Sequence, residues 1–255
     1  MKKLNVSVCI LAKDEEANLP RCLAPLEAFD EVIVLDSGSE DKTVEIARQW
    51  GATVIEESWQ GFGATRKKLF QAASKPWILW LDADEVVPQG LVDEIQKVAG
   101  MKSNRNGFWI NRITYIGKKR FHHGNWYPDW NLRFFRTEGW FMEERDVHER
   151  IQVHGETGRF FSCIDHYSYR NWAERKERSQ RYAKLWAAEA FRDGRRVTFF
   201  DQVGHSFACF VKAFFLKLGF LDGFSGLRLA FSNASEVSDK YRRLRLSWTR
   251  YGAGG

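Results

Sequence analysis

Five apolar residues, Trp77-Ile78-Leu79-Trp80-Leu81, run directly into Asp82-Ala83-Asp84-Glu85. Bounded by Pro76, the run reads as a buried strand with an acidic tip, and in open α/β sheets ligands bind at the carboxyl ends of strands. Asp-x-Asp there suits a divalent cation that holds a phosphate. Alternation along an extended chain puts Asp82 and Asp84 on one side, where two hard oxygens could share one Mg²⁺ or Mn²⁺ with substrate phosphates and water. The plain alternative is a solvated helix cap. Other strand ends add carboxylates: Glu15 in Ala12-Lys13-Asp14-Glu15-Glu16, and Asp36 in Leu35-Asp36-Ser37-Gly38-Ser39-Glu40-Asp41. Gly38 permits a tight turn and Ser39 can cap the next helix, so Asp36 reads either as a turn former or as a carboxylate for a base or ribose. No Gly-x-Gly-x-x-Gly follows the first strand, which argues against a dinucleotide enzyme.

The elements that must position these groups alternate. Strand-like Asn5–Leu11, Glu31–Leu35, Thr53–Glu56 and Trp77–Leu81 interleave with helix-like Asn18–Ala28, Asp41–Trp50, Ala64–Ala73 and Leu91–Val98. Such βαβα order with short connections predicts an α/β fold with a mainly parallel sheet flanked by helices. Segments 107–115, 131–136 and 158–164 read as further strands that extend the sheet. From Asn171 onward the pattern is helical, broken near Gly194, Gly219 and Gly223.

In order and spacing, Ser7-Val8-Cys9-Ile10-Leu11-Ala12-Lys13-Asp14-Glu15-Glu16, the Asp36 segment and Leu81-Asp82-Ala83-Asp84-Glu85 resemble glycosyltransferase family 2 over roughly residues 4–170. The resemblance implies a GT-A fold, a nucleotide-sugar donor, a divalent metal and inversion at the anomeric carbon. It places Lys13, Glu15 and Asp36 around the nucleoside, Asp82 near the ribose and Asp84 on the metal. It also matches Arg66, in Gly61-Phe62-Gly63-Ala64-Thr65-Arg66, to an arginine that approaches the base or diphosphate, a role suited to a cation at a helix start; a surface arginine is the alternative. The first motif has Ala-Lys-Asp where many members have Pro-x-x-Asn.

Sugar transfer also needs a base for the acceptor hydroxyl. Candidates lie in Glu143-Glu144-Arg145-Asp146-Val147-His148-Glu149, whose Val-His-Glu element resembles the family's lipopolysaccharide core subgroup. Glu149 or Asp146 ranks first as base, then Glu144, with His148 as a metal ligand or diphosphate contact; a solvated acidic loop is the alternative. His166 is placed at the diphosphate or as a structural histidine, and His122 and His123 at the surface. Trp126, Tyr127, Asp129 and Trp130 form an aromatic segment suited to stacking on sugars or to core packing, followed by Arg133 as a further substrate contact.

The chain has 255 residues and a formal charge of +6, but residues 1–169 carry 22 Lys/Arg against 25 Asp/Glu while residues 170–255 carry 17 against 8. We therefore expect a catalytic domain over residues 1–170 and a basic helical region over 171–255. Nine of the twenty Phe fall in 199–231, with Lys212, Lys217 and Arg228 among them. That mixture fits helices lying in a membrane interface against anionic headgroups, or else packing on the catalytic domain or a second subunit as a homo-oligomer. No nucleic-acid motif accompanies the basic charge. Cys9, Cys22, Cys163 and Cys209 form no Cys-x-x-Cys pair, which suits a reducing compartment and no zinc site. The short apolar stretch Leu4 to Ala12 runs into Lys13-Asp14-Glu15-Glu16 without a small-residue cleavage site and is expected to be the first strand rather than a signal peptide. No stretch is expected to span a bilayer. The expectation is an inverting, metal-dependent enzyme, peripheral on the cytoplasmic membrane's inner face, moving a hexose, glucose among the options, from a UDP-sugar to a glycolipid acceptor such as lipopolysaccharide inner core. A nucleotidyltransferase, or a non-catalytic basic scaffold binding anionic lipid or nucleic acid, are the competing readings.

Overall fold

The computed structural model describes residues 3–101, 103–143 and 150–253. The chain divides into two compact units, Met1–Arg112 with Asp129–His166, and Ile113–Pro128 with Tyr167–Gly255.

In the first unit β1 (Leu4–Ala12) is followed by α1 (Leu19–Leu23), a 3₁₀ turn (Ala24–Ala28), β2 (Phe29–Asp36), α2 (Thr43–Gln49), β3 (Thr53–Glu56), α3 (Phe62–Gln71) and β4 (Trp77–Asp82). Next come β5 (Glu85–Val86), α4 (Gln89–Gly100) and β6 (Arg105–Ile116). The short strand β7 (Lys119–Arg120) belongs to the second unit, and β8 (Trp130–Arg136), β9 (Trp140–Glu143), β10 (Arg150–Val153) and β11 (Glu156–Tyr169) complete the set.

The main sheet runs β3-β2-β1-β4-β8-β6-β11-β5, with β9 and β10 paired separately. The first four strands are parallel, as the alternation predicts. β8 returns antiparallel to both β4 and β6, and β5 is antiparallel to β11. Helices cover both faces of the parallel half, which is why its strands read as unbroken apolar runs. On one face Val6, Val8, Ile10, Leu79 and Leu81 pack with Leu19, Leu91 and Ile95. On the other Cys9, Ile33, Leu35 and Ile78 pack with Leu69, Phe70 and Phe135.

The second unit holds the connection 113–128 and three helices: α5 (Trp172–Arg192), α6 (Phe199–Val211) and α7 (Gly223–Ala253). Asn171 caps α5 by accepting from the N–H groups of Ala173 and Glu174, both at 2.9 Å. Thr198 and Asp201 form a capping box on α6. A π turn (Lys212–Leu216) and a 3₁₀ turn (Gly219–Asp222) link α6 to α7. Here the backbones approach closely: a Cβ on Gly226 would lie 1.9 Å from the carbonyl of Gly219. Asp222 accepts from the backbone N–H groups of His122 (3.1 Å) and His123 (3.0 Å) and lies 3.1 Å from His123 Nδ1. His123, expected at the surface, is thus two-thirds covered and engaged. No helix among the described residues is long and apolar enough to cross a membrane. Phe199, Phe200, Phe207, Phe215, Phe220, Phe224 and Phe231 are exposed.

Candidate active site

Each parallel strand ends at its carboxyl edge in a polar turn, and side chains stitch those turns together. Asp36 closes β2 with its carboxylate turned into its own loop, where Oδ2 accepts from the N–H groups of Gly38 and Ser39, each at 2.9 Å, and Oδ1 accepts from the Ser39 hydroxyl. Gly38 takes φ +94, which favours glycine. Across to the loop after β1, Asp14 accepts from the N–H of Glu40 at 2.8 Å, and Glu15 N–H donates to Thr43 Oγ1 at 2.8 Å. The Glu15 carboxylate accepts from Asn18 Nδ2 at 2.7 Å. Lys13 is exposed beside them. Lys13, Glu15 and Asp36 therefore lie on adjoining loops, with the Asp36 carboxylate already hydrogen-bonded.

β4 ends at Asp82, and Asp84 lies in a turn before β5. Strict alternation does not continue through that turn, so the two carboxylates meet different partners. Asp82 Oδ2 accepts from Arg133 Nη2 at 2.7 Å and lies 3.6 Å from Arg112 Nη1. Burial pushes the Asp82 carboxyl up, but the charges of Arg133, Arg112 and Arg66 outweigh it and hold it well below the usual carboxylate range. Asp84 Oδ2 instead lies 3.3 Å from His166 Nε2, with both side chains 18% exposed. Register brings them together, because β11 pairs with β5 at His166↔Glu85. Burial lowers the His166 pKa, and the Asp84 carboxylate reverses this, leaving it raised.

Glu85, which closes the acidic run, is fully buried and holds the cluster from beneath. Its Oε1 accepts from Arg112 (3.0 Å) and Arg133 (2.8 Å), and its Oε2 accepts from the Asp82 N–H (2.9 Å). Arg133 is 1% exposed, with its guanidinium 3.9 Å from the Trp80 ring centroid. Its Nη2 is taken by carboxylates and its face by an indole, while Nε and Nη1 are buried without a hydrogen-bond partner. Arg66 also lies over Trp80, at 4.6 Å. Arg112 reaches Asp129 Oδ2 through Nη2 (2.6 Å) and Nε (2.8 Å), and its three carboxylate neighbours outweigh burial and raise its pKa. Asp129 is thus paired within the same network.

Trp130 lines a cleft of about 620 Å³ with Trp80, Trp109, Asp129, Arg150 and Thr157. Trp126 and Tyr127 belong to the second unit, where Trp126 stacks on Tyr169 at 5.8 Å and meets Phe121 edge-on at 6.1 Å, the packing alternative for this residue. Glu144, Asp146, His148 and Glu149 lie outside the described residues. Sequence reading missed Arg112 and the supporting role of Glu85. Glu85 was visible as the last member of the acidic run, whereas nothing local marks Arg112.

For a divalent cation the described residues offer a pair of donors rather than a cage; no group of three or more candidate ligands occurs among them. The pair fits a Mg²⁺ or Mn²⁺ that takes one or two protein ligands and completes its shell with phosphate oxygens and water.

Acidic strand ends on this mixed sheet, with a histidine opposite the second aspartate, define the chain as a glycosyltransferase once its relatives are considered. Residues 7–168 match the family described as Glycosyl transferase family 2, and the chain belongs to that family. Its fold is accordingly GT-A-like, with three C-terminal helices, and the nucleotidyltransferase and scaffold readings fall away. The chain is 24% identical over 253 residues to the lipopolysaccharide core biosynthesis glycosyltransferase LpsC of Rhizobium meliloti (strain 1021), covering 94% of each chain. It is 27% identical over 248 residues to an uncharacterized glycosyltransferase of Rickettsia prowazekii (strain Madrid E), covering 89% of this chain and 81% of that one. Among solved structures it is similar to glucosyl-3-phosphoglycerate synthase from Mycobacterium tuberculosis at 25% identity and a TM-score of 0.35, over 43% of this chain and 44% of that one.

Proposed function

We propose that this glycosyltransferase moves a hexose, with inversion, from a UDP-sugar to a membrane glycolipid of the lipopolysaccharide-core kind. The gathering of Asp82, Asp84 and Glu85 at the end of β4, with His166 opposite Asp84, carries this reading. Family membership supports sugar transfer, and the relation to LpsC along nearly the whole chain supports the acceptor class. UDP, hexose and inversion follow from the motif resemblance.

In this reading Lys13, Glu15 and Asp36 border the nucleoside, Asp82 the ribose and Arg66 the diphosphate. Asp84 and His166 would hold a Mg²⁺ or Mn²⁺, which when bound supplies positive charge to the departing diphosphate. The acceptor oxygen bonds to the anomeric carbon as the bond from that carbon to the diphosphate oxygen breaks, and the electron pair of that bond leaves on UDP. The acceptor proton goes to a carboxylate of the segment holding Glu144, Asp146 and Glu149. The Trp109–Trp130 cleft offers indole faces for acceptor sugars.

The exposed phenylalanines and the basic charge of residues 170–255 support attachment at a membrane surface, on the inner face of the cytoplasmic membrane. A second copy covering those rings would make a homo-oligomer instead.

UDP-hexose hydrolysis, measured with Mn²⁺ or Mg²⁺, tests the donor site. Wild type should turn over, and Asp84→Ala should lose at least about a hundredfold in kcat, since several kcal/mol of charge stabilisation are removed. Full activity of that variant would overturn the assignment.

A further inference from the structure

The second unit contains a cavity of about 320 Å³ between α5 and α7, lined by Arg175, Lys176, Ser179, Arg228, Ser232 and Ser235. Two of its lining carboxylates are already matched. Glu236 meets Arg175 (3.1 Å) and Lys240 (3.0 Å), and Asp239 meets Arg242 and Arg243, each at 2.7 Å. Lys176 and Arg228 have no ion-pair partner among the described residues, and Arg228 overlies the Trp172 ring at 4.3 Å. Arg175 is 2% exposed and donates through Nη2 to Asn233 Oδ1 at 2.9 Å. Its Nε is buried without a hydrogen-bond partner. It is a donor, so the missing partner is an acceptor, and an orphaned buried donor is costly enough to call for one.

Unmatched cations, the orphaned Arg175 N–H and three serine hydroxyls together favour a tetrahedral oxyanion that accepts in several directions. We propose that this cavity is a binding site for a phosphate monoester, separate from the donor site. Phe231, one of the exposed rings, lines the same cavity, so a lipid-borne phosphate can enter beside an apolar surface. The same chemistry is offered by free phosphate.

Calorimetry on the full-length protein at low ionic strength, with inorganic phosphate as titrant, tests the site. Wild type should bind phosphate, and Lys176→Gln with Arg228→Gln should weaken it at least tenfold. Both cations are exposed, so thermal unfolding should not change. Ser232→Ala with Ser235→Ala, which alters no charge, should also weaken binding. The control pair Lys184→Gln with Lys217→Gln, exposed elsewhere in the unit, should not. Absence of phosphate binding by wild type, or equal weakening by the cavity and control pairs, would overturn the proposal. Vesicles distinguish the sources. A preference for phosphatidate over phosphatidylglycerol at matched charge, abolished by the cavity pair, identifies a lipid headgroup. Phosphate binding lost in that pair with no vesicle preference identifies a soluble phosphate. Either result sustains the site.

Discussion

Arg133 has no solvent to fall back on, and its Nη2 is shared between Asp82 and Glu85. Removing Arg133 takes away one of two guanidinium groups on Glu85, and Arg112 remains, so the loss falls short of the about 3–5 kcal/mol of a fully broken buried pair. We therefore expect Arg133→Met to lower the unfolding free energy by about 1–3 kcal/mol in denaturant titrations. Adding Arg112→Met should cost more than the two single variants combined, because only then does Glu85 lose both of these guanidinium partners; strict additivity would contradict this account. The acidic half of this network was legible from the sequence, since an apolar strand running into Asp-x-Asp-Glu is a local signal. The basic half was not. Arg112 sits inside an ordinary apolar-rich strand, and its pairing with Glu85 and Asp129 arises from strand order. The turn at Asp84 likewise escaped the period-two reading, which holds only while the chain stays extended.

Elements are joined by polar pins as well as by the core, and the one at the edge of β1 and β2 responds to acid. Glu31 in β2 accepts from the hydroxyl of Ser7 in β1, and from the N–H (2.9 Å) and hydroxyl (2.6 Å) of Ser74. Burial raises its pKa, but these hydrogen bonds outweigh it and the folded value is lowered. The stabilisation is therefore present above the unfolded pKa of about 4.3 and is lost as pH falls through the lower folded value. Glu31→Gln should unfold at a lower temperature than wild type near neutral pH, with the gap closing below about pH 4; a gap constant from pH 7 to 3 would exclude the carboxylate as its source. At this scale the parallel half and the breaks in the helical region were readable, because long periodic segments and glycines mark them. The two-residue strands β5 and β7 were not, since two residues carry no period. The segment Asn18–Ala28 reads as one helix yet divides into α1 and a 3₁₀ turn, with Pro25 near the junction removing a backbone donor.

For the molecule as a whole, the balance of charge and exposed rings is what the proposed membrane attachment rests on. Phe200, Phe207 and Phe224 are 84%, 67% and 80% exposed, so replacing them costs the folded state little. A Phe buried in lipid contributes up to about 1.5–3 kcal/mol. Phe200→Glu, Phe207→Glu and Phe224→Glu together should reduce co-sedimentation with anionic vesicles at least tenfold while leaving thermal unfolding unchanged. Undiminished co-sedimentation would point instead to rings that cover a second subunit. The same division has a kinetic corollary. Lysines and arginines act over a Debye length of about 10 Å, so in the proposed attachment they would govern how often the protein arrives at a bilayer. Aromatic side chains act only on contact and would govern how long it stays. Salt should therefore slow landing, whereas loss of the rings should shorten each visit.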